Sequence, residues 1–474
     1  MKTQCNGQSF FFPAENSRQI VARFDGGAIT SDAGGLLLRQ VERAVGILSQ
    51  FAGCFTDHRD SDLIEHTVEE LVSQRGYGLA LGYEDLNDHD DLRYDPLLAI
   101  LVGKREPTGQ DRRQKRDRGK ALAGKSTLNR LELTPVGADG DSRYKKIVLN
   151  TRQAEMVFTD IFVQSHRQPS TSIVLDLDAT DDPVHGDQLG RFFHGYYKNY
   201  CYLPLYIFCG EHLLWAQLRP SDIDASAGSV RALAKIIGRI RQAWPDVKIL
   251  IRGDSGFCRE YLMAWCERNG VDYLFGLARN DRLVREIADE LAQAKTMHQH
   301  TGQAARVFKD FEYQTRESWP RPRRVVGKAE YLDKGENPRF VVTSLPKAEI
   351  DARPLYEQTY CARGDMENRI KEQQLYLFAD RTSAATMRAN QLRLWFSSIA
   401  YTLLSALRRL GLHGTELAGA QCSTIRLKLL KIGAAIRVTV RKVWISLAES
   451  YPYRRIFQRV YDNLIRLSPL PLRC

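Results

Sequence analysis

Three acidic residues stand where their carboxylates can do chemistry together. Asp178 ends the apolar run 173–177, Asp254 follows the apolar run 247–251, and Glu367 lies in a polar stretch with helical spacing. Carboxylates at strand ends and on a neighbouring helix can converge on divalent cations, which prefer oxygen ligands. Two such ions activate a hydroxyl nucleophile and stabilise the leaving oxygen of a phosphodiester. The residue types therefore predict metal-dependent phosphoryl transfer on a polynucleotide.

The first two carboxylates each have a second interpretation. On a strand, alternate side chains point to the same face, so Asp176 and Asp178 share a face while the leucine between them packs on the other. Asp254 follows a strand apolar enough to be central, and ligands of open α/β sheets collect at such strand ends. A salt-bridged strand terminus explains the first pair equally, and a helix cap explains Asp254. These alternatives stay open, as does the choice between Asp176 and Asp178.

A polar stripe surrounds the third carboxylate. Its five members follow one another at intervals of three or four residues, which on an α-helix places them on one face: Tyr360, Arg363, Glu367, Lys371 and Gln374. The planar fork of Arg363 suits a phosphate, Lys371 adds a point charge, and Tyr360 a hydrogen bond. The stripe therefore predicts a DNA-binding helix face. The alternative is a solvated face on which Glu367 pairs with Lys371.

The charge of the chain predicts a polyanionic partner. The 474 residues carry a formal net charge of +11, which favours nucleic acid over an acidic small molecule. Residues 103–130 hold ten Lys/Arg against three Asp/Glu, and residues 381–474 hold sixteen against three. The first pattern is typical of an exposed loop and the second of basic helices, with a merely solvated surface as the alternative. The DNA contacts expected in the loop are Arg112, Arg113, Lys115 and Arg116.

The composition argues against several classes of protein. An apolar content of 43% and a charged content of 26% are those of a soluble globular protein. No apolar run reaches the length of a membrane span and the N-terminus is polar, so we expect a cytoplasmic protein without a membrane partner. Nine cysteines without a Cys-x-x-Cys pair argue against a disulfide framework and a zinc ribbon.

The order of apolar patterns predicts an α/β chain, α+β overall, in several regions. Residues 1–135 predict a mainly helical N-terminal DNA-binding domain that includes the basic loop. Strand-rich residues 136–280 and helical residues 347–400 predict the two parts of a catalytic core, a mixed sheet flanked by helices. Between them, residues 281–346 predict a β-rich insertion. Residues 401–474 predict a basic helical C-terminal region.

Two aromatic features have competing interpretations. Residues 192–197 contain two phenylalanines and two tyrosines, which either stack on an unpaired base or serve the hydrophobic core or strand pairing. Trp319 lies in a proline-rich turn, where it is either exposed for wedging into DNA or packed at a hairpin tip.

Three motifs carry a resemblance to a known family. They are Asp178-Ala179-Thr180 for an Asp-x-Thr motif, Asp254-Ser255-Gly256-Phe257 for an Asp-x-Gly-aromatic motif, and Tyr360, Arg363 and Glu367 for a Tyr-x2-Arg-x3-Glu-x6-Lys signature. With them, the chain resembles bacterial insertion-sequence transposases of the DDE class with an RNase H-like core, closest to insertion-sequence family 1380. Further matches at 24–27, 86–92, 95–96 and 390–393 extend the resemblance over nearly the whole chain. The signature lysine is replaced by Gln374, whose neutral amide lacks the ionic contribution to phosphate binding.

The resemblance implies a mechanism and its partners. Asp178, Asp254 and Glu367 would be the catalytic and metal-binding residues, holding two Mg²⁺ ions for which Mn²⁺ can substitute. The enzyme would nick the ends of its mobile element and join the freed 3′-hydroxyl to target DNA. Its partners would be the double-stranded terminal inverted repeats and target DNA, with a homodimer in the synaptic complex of the bacterial cytosol and nucleoid. The alternatives are a nuclease without strand transfer and a non-catalytic DNA-binding regulator.

Overall fold

A computed structural model describes residues 8–467. The strands in this range are β1 Phe10–Glu15, β2 Arg18–Ala22, β3 Ala28–Thr30, β4 Phe55–Asp57, β5 Ile147–Leu149, β6 Ser172–Ala179, β7 Asp182–Pro183, β8 Phe192–His194, β9 Asn199–Tyr202, β10 Leu205–Cys209, β11 His212–Gln217, β12 Lys248–Gly253, β13 Asp272–Leu277, β14 Ala305–Tyr313, β15 Arg323–Leu332, β16 Gly335–Glu336, β17 Arg339–Thr343, β18 Ala434–Val438 and β19 Val443–Leu447.

The α-helices in this range are α1 Gly35–Val45, α2 Ile47–Ala52, α3 Val68–Leu81, α4 His89–Leu92, α5 Pro96–Val102, α6 Lys125–Glu132, α7 Thr151–Gln164, α8 Ser229–Ala243, α9 Glu260–Arg268, α10 Asp281–Glu286, α11 Ala288–Thr301, α12 Ala352–Pro354, α13 Gly364–Leu377, α14 Met387–Leu410, α15 Cys422–Ile425 and α16 Arg454–Ile465. Short 3₁₀ turns cover Ser61–Leu63, Lys115–Asp117 and Cys361–Arg363, and π-helical turns cover Leu355–Tyr360 and Arg426–Leu430. None of the helices among residues 8–467 is long and apolar enough to cross a membrane.

The chain forms two compact units. Among residues 8–467, the terminal unit contains residues 8–150 and 399–467, and the central unit contains residues 151–398. The terminal unit is built around α3, which begins at a capping box made by Thr67 and Glu70. Every α3 residue from Leu71 onward is buried, as expected for a helix surrounded by other elements.

A strand of the C-terminal region completes the terminal unit. β18 pairs antiparallel with β3 on one side and with β19 on the other. The sequence predicts separate N-terminal and C-terminal regions, whereas this pairing joins them in one unit. The sequence also predicts a helical region at 401–474, but residues 434–447 form a hairpin. Buried Ala434 and Ile436 alternate there with exposed Ala435 and Arg437, which is the period of a strand rather than a helix.

A mixed sheet organises the central unit. Its main order is β11-β10-β6-β12-β13-β17-β15-β14, with β16 paired to β15. β10 is antiparallel to β6 and β11, whereas β12 is parallel to both β6 and β13. The predicted α/β class is therefore confirmed. The region predicted as an insertion is continuous with this sheet, because β17 pairs directly with β13.

Both faces of this sheet are covered. On one face, Leu175 of β6 and Ile251 of β12 belong to a large buried cluster that includes residues of α8 and α9. On the other face, Leu274 of β13 packs in a smaller cluster with Leu355 and Tyr356, which precede α13. Asp176 and Arg252 alternate with Leu175 and Ile251, so they point to this second face. The carboxyl ends of β6, β12 and β13 are thereby placed beside the helical segment 352–377.

Candidate active site

Asp176 is held in a buried ion pair. Its Oδ1 and Oδ2 accept hydrogen bonds from Nε and Nη2 of Arg252, at 2.6 and 2.8 Å. The two side chains are only 6% and 10% exposed. Arg252 also donates from Nη1 to the carbonyl oxygen of Thr359. Burial raises the pKa of Asp176, and the two-point contact with Arg252 opposes that rise. Asp176 thus links β6, β12 and the helical segment.

Asp178 has a different environment two residues later. The nearest cation, Nη1 of Arg363, lies 3.7 Å from its Oδ1, which is too far for a hydrogen bond. The pKa of Asp178 is raised to about 6, because burial and the charges of Asp254 and Glu367 raise it more than Arg363 lowers it. Charges act on a pKa in this way only at short range. The three predicted carboxylates therefore share one neighbourhood.

Asp254 lies in a turn at the end of β12. Its Oδ1 accepts a hydrogen bond from the backbone N–H of Gly256 at 2.8 Å. α9 begins only at Glu260, after Arg259, so Asp254 does not cap this helix. Phe257 is fully buried and its ring lies over Gly253, which anchors the turn from below. The alternative of a helix cap therefore does not hold, and Asp254 lies in a local turn that engages only its Oδ1.

The predicted polar stripe lies on a composite helical segment. Tyr360 ends a π-helical turn, Arg363 ends a 3₁₀ turn, and Glu367 lies in the first turn of α13. Glu367 pairs with Arg363, whose Nη2 lies 2.6 Å from Oε1, rather than with Lys371 as the alternative of a solvated face requires. Lys371 itself is exposed. Gln374 donates from Nε2 to the carbonyl oxygen of Asp181 at 2.9 Å, so it ties α13 to the chain just beyond β6.

Gly276 makes room for Tyr360. A Cβ atom added at Gly276 would lie 2.5 Å from the hydroxyl oxygen of Tyr360 and 3.0 Å from the backbone nitrogen of Ser255. Burial raises the pKa of the Tyr360 phenol, and the neighbouring Arg363 partly opposes this rise. Gly276 was missed in the sequence, although a glycine inside a strand is a known signal of a close backbone approach.

Arg363 supplies the positive charge of the site. Burial lowers its pKa, but Asp178 and Glu367 more than offset that effect and raise it. The surrounding donors are all carboxylates, the ligand type that Mg²⁺ and Mn²⁺ prefer. Among residues 8–467, no three His, Cys, Asp or Glu side chains are grouped closely enough to hold a metal ion. The donor chemistry fits a divalent cation, while the spacing shown accommodates the guanidinium of Arg363.

Comparison with known proteins identifies the family. Residues 12–469 match the family model described as Transposase DDE domain group 1. The chain belongs to this transposase family. Comparison with curated proteins finds no match. Among solved structures, the chain is similar to a piggyBac transposase synaptic complex with hairpin DNA, at 11% identity and a TM-score of 0.39, over 94% of this chain and 87% of that one. A likeness of this size fixes neither fold nor function, so the family model alone decides the assignment.

The aromatic residues of this transposase-family chain divide between surface and interior. Phe193 and Tyr196 are exposed, so the hairpin of β8 and β9 does not bury its aromatic run as a core. Tyr197 donates its hydroxyl to the carbonyl oxygen of Ala179 at 3.2 Å, beside the end of β6. Trp319 is buried, in contact with Tyr313. It is therefore a packed hairpin residue rather than an exposed wedge.

The basic loop of the terminal unit is also divided. Arg112 forms an ion pair with Glu65, at 2.7 Å between Nη2 and Oε2, and its side chain is only 12% exposed. Arg113 is exposed but donates to the carbonyl oxygen of Asp62 at 2.8 Å. Lys115 and Arg116 are exposed. Arg112 thus has a structural role in the loop, and the other three remain predicted DNA contacts.

Proposed function

We propose that this protein is a DNA transposase of the insertion-sequence type, closest to family 1380, that nicks the ends of its element and joins the 3′-hydroxyl ends to target DNA. The observation that carries the proposal is the shared neighbourhood of Asp178, Asp254 and Glu367 around Arg363, in a chain of the DDE transposase family. The strand order β11-β10-β6-β12-β13, antiparallel then parallel about β6, supports an RNase H-like core.

The three carboxylates are the proposed ligands of two Mg²⁺ ions, with Mn²⁺ as a substitute. When bound, the ions would activate the attacking hydroxyl and stabilise the leaving oxygen. The protein's part is to hold the oxygen donors. Asp178 is held on a central strand, Asp254 in an anchored turn, and Glu367 at the start of a helix. Asp178 is the proposed first ligand because Arg252 already occupies both oxygens of Asp176.

Arg363, Tyr360 and Lys371 are the proposed DNA contacts of this site. The guanidinium of Arg363 balances Asp178 and Glu367, and its planar fork suits a phosphate oxygen pair. Tyr360 places a hydroxyl next to the Asp254 turn, and Lys371 is an exposed cation on the same helical segment. Gln374 is engaged with Asp181, so we assign it to positioning α13 rather than to ionic binding.

The proposed macromolecular partners are duplex DNA and a second copy of the chain. The net charge of +11 favours a polyanion. Strand transfer of two element ends calls for two active sites, and we therefore propose a homodimer in the synaptic complex, acting in the bacterial cytosol.

The test uses the full chain, Mg²⁺, a target plasmid and labelled duplexes carrying the inverted repeats that flank its own gene. Joined products support a transposase. Cleavage without joining would indicate a nuclease, and binding without cleavage a DNA-binding regulator. The matched pair of variants is Asp254→Asn, expected to bind ends without nicking them, and Asp333→Asn, an exposed carboxylate whose loss should change neither.

A further inference from the structure

The hairpin of β18 and β19 presents basic and aromatic side chains to solvent. Within the described part of the chain, β19 is an edge strand of its three-stranded sheet. Buried Ala434 and Ile436 pack one face of β18 on the terminal unit. On the opposite face, Arg437 and Trp444 lie directly across from each other, and both are exposed. The hairpin is thus held at its base and open along one face.

The charge of this hairpin is unbalanced. Residues 434–447 contain three Lys/Arg and no Asp/Glu. Lys431, near the base, is paired with Asp32 at 2.6 Å. Arg437, Arg441 and Lys442 are exposed, and among residues 8–467 none of them forms an ion pair. Like charges at this spacing repel one another. A polyanion bound along the hairpin relieves that repulsion.

Val440 at the hairpin tip and Trp444 on β19 also suit a polyanionic partner. The guanidinium of Arg437 and the ammonium of Lys442 lie 5.8 and 5.5 Å from the centre of the Trp444 ring. Val440 at the tip is fully exposed, in a turn closed by hydrogen bonds between Thr439 and Lys442. Short hairpin turns favour Asn, Asp or Gly. The exposed valine at this tip is therefore not explained by the geometry of the turn. Apolar side chains flanked by cations are a recurrent feature of DNA-groove contacts.

We propose that the β18–β19 hairpin is a contact for duplex DNA, a two-stranded ribbon that enters a groove with Arg437, Arg441 and Lys442 on phosphates and Trp444 on the sugar or base edges. The inference rests on the proposed function and assigns a binding element outside the candidate active site. A two-stranded ribbon matches the width of the major groove. The absence of acidic residues in 434–447 favours nucleic acid over a protein partner, whose surface carries both signs of charge.

A second exposed hairpin provides the matched control. β1 and β2 are also exposed along their whole length, but residues 10–25 contain two arginines, Arg18 and Arg23, and two acids, Glu15 and Asp25. Its charge is therefore balanced. Removing two arginines there tests whether any two exposed cations would have the same effect.

The main experiment measures the salt dependence of binding. A labelled random-sequence 30-bp duplex is titrated with the full chain in EDTA, by fluorescence anisotropy, at several salt concentrations. Each phosphate contact contributes about 0.9 to the slope of log K against log salt. Arg437→Ala with Lys442→Ala should lower the slope by about 2, and Arg441→Gln alone by about 1. Arg18→Ala with Arg23→Ala should leave it unchanged.

Trp444 provides an independent reading. Of the six tryptophans, Trp444 is half-exposed at 50%, whereas Trp215, Trp244, Trp319 and Trp395 are buried and Trp265 is partly buried. Acrylamide should therefore quench mainly Trp444. The duplex should protect this component from acrylamide, and Trp444→Phe should remove it.

The outcomes separate this inference from the proposed function. Equal salt slopes for the hairpin variant and the control, or Trp444 equally quenched with and without DNA, overturn the inference. So does a hairpin variant that changes the oligomeric state without changing the slope, because the hairpin would then be a protein interface. In each of these cases nicking of element ends by the wild type still supports the transposase. A wild type that binds no duplex overturns both proposals.

Discussion

Asp176 and Asp178 are two residues apart on one face of one strand, and their environments are opposite. Asp176 accepts two hydrogen bonds from Arg252 in a nearly closed pair. Asp178 has its nearest cation at 3.7 Å and two further carboxylates close enough to raise its pKa. The first arrangement satisfies a buried charge and the second leaves one poorly compensated. The comparison teaches that Asp176 stabilises the fold, whereas Asp178 carries a poorly compensated charge of the kind that a bound cation would relieve.

The largest expected effect distinguishes the two aspartates by activity. Asp178→Asn should lower the nicking rate at least about 10³-fold, because losing only an outer partner of a metal ligand already costs about 10–100-fold. Nicking of labelled element ends in Mg²⁺ measures it, with Glu367→Gln expected to behave alike. Asp178→Asn retaining activity within about tenfold of the wild type would contradict the assignment of this residue to the site.

The stability of the same two variants should show the reverse order. Asp176→Asn leaves the buried guanidinium of Arg252 without its ionic partner, and we expect a loss of about 3 kcal/mol in the free energy of unfolding. Asp178→Asn removes a charge that burial and two neighbouring carboxylates disfavour, so it should be neutral or stabilising by up to about 3 kcal/mol at neutral pH. Chemical denaturation in EDTA measures both. Equal losses would remove the distinction between a structural and a functional carboxylate.

Gly276 tests whether the site depends on the close approach of Tyr360. Gly276→Ala places a methyl group against the Tyr360 hydroxyl, and overpacking of this kind costs about 1–3 kcal/mol. We expect lower nicking and a lower unfolding free energy. Tyr360→Phe removes the crowded hydroxyl, so the double variant should recover stability over Gly276→Ala. A strictly additive double variant would show that the two residues do not interact.

The smallest effects compare Gln374 with Lys371. Gln374→Ala loses its hydrogen bond to the Asp181 carbonyl, and we expect a loss of about 1 kcal/mol in unfolding free energy. Lys371→Ala should change stability by less than about 0.5 kcal/mol but weaken binding of a DNA duplex. Denaturation curves and anisotropy titrations measure the two effects. If Gln374→Ala weakens DNA binding without loss of stability, Gln374 belongs to the DNA contacts instead.

The sequence predicted the elements of the site better than their contacts. The apolar runs before Asp178 and Asp254 form β6 and β12, and the helical spacing of the stripe is confirmed for Glu367, Lys371 and Gln374 in α13. The partner of Asp176 depends on the register that places Arg252 opposite it across β6 and β12. Register arises from the packing of the whole sheet, so no local pattern encodes it.

The C-terminal hairpin shows a second limit. The basic and apolar residues over 434–447 fit a helical spacing, yet their alternation also has the period of a strand. The β-branched residues Val438, Val443 and Ile445 favour that state, and pairing with distant β3 stabilises it. Where a short segment fits both periods, its secondary structure depends on the strand with which it pairs. Here that strand is β3, near the other end of the chain.

The pairing of β3 with β18 has a consequence for synthesis. Residues 28–30 emerge early from the ribosome and must wait for residues 434–438 before their sheet can form. The central unit, by contrast, is contiguous in the chain and can fold while translation continues. A product that ends before residue 434 therefore leaves β3 without its strand partner. The terminal unit can be completed only after residues 434–438 have been translated.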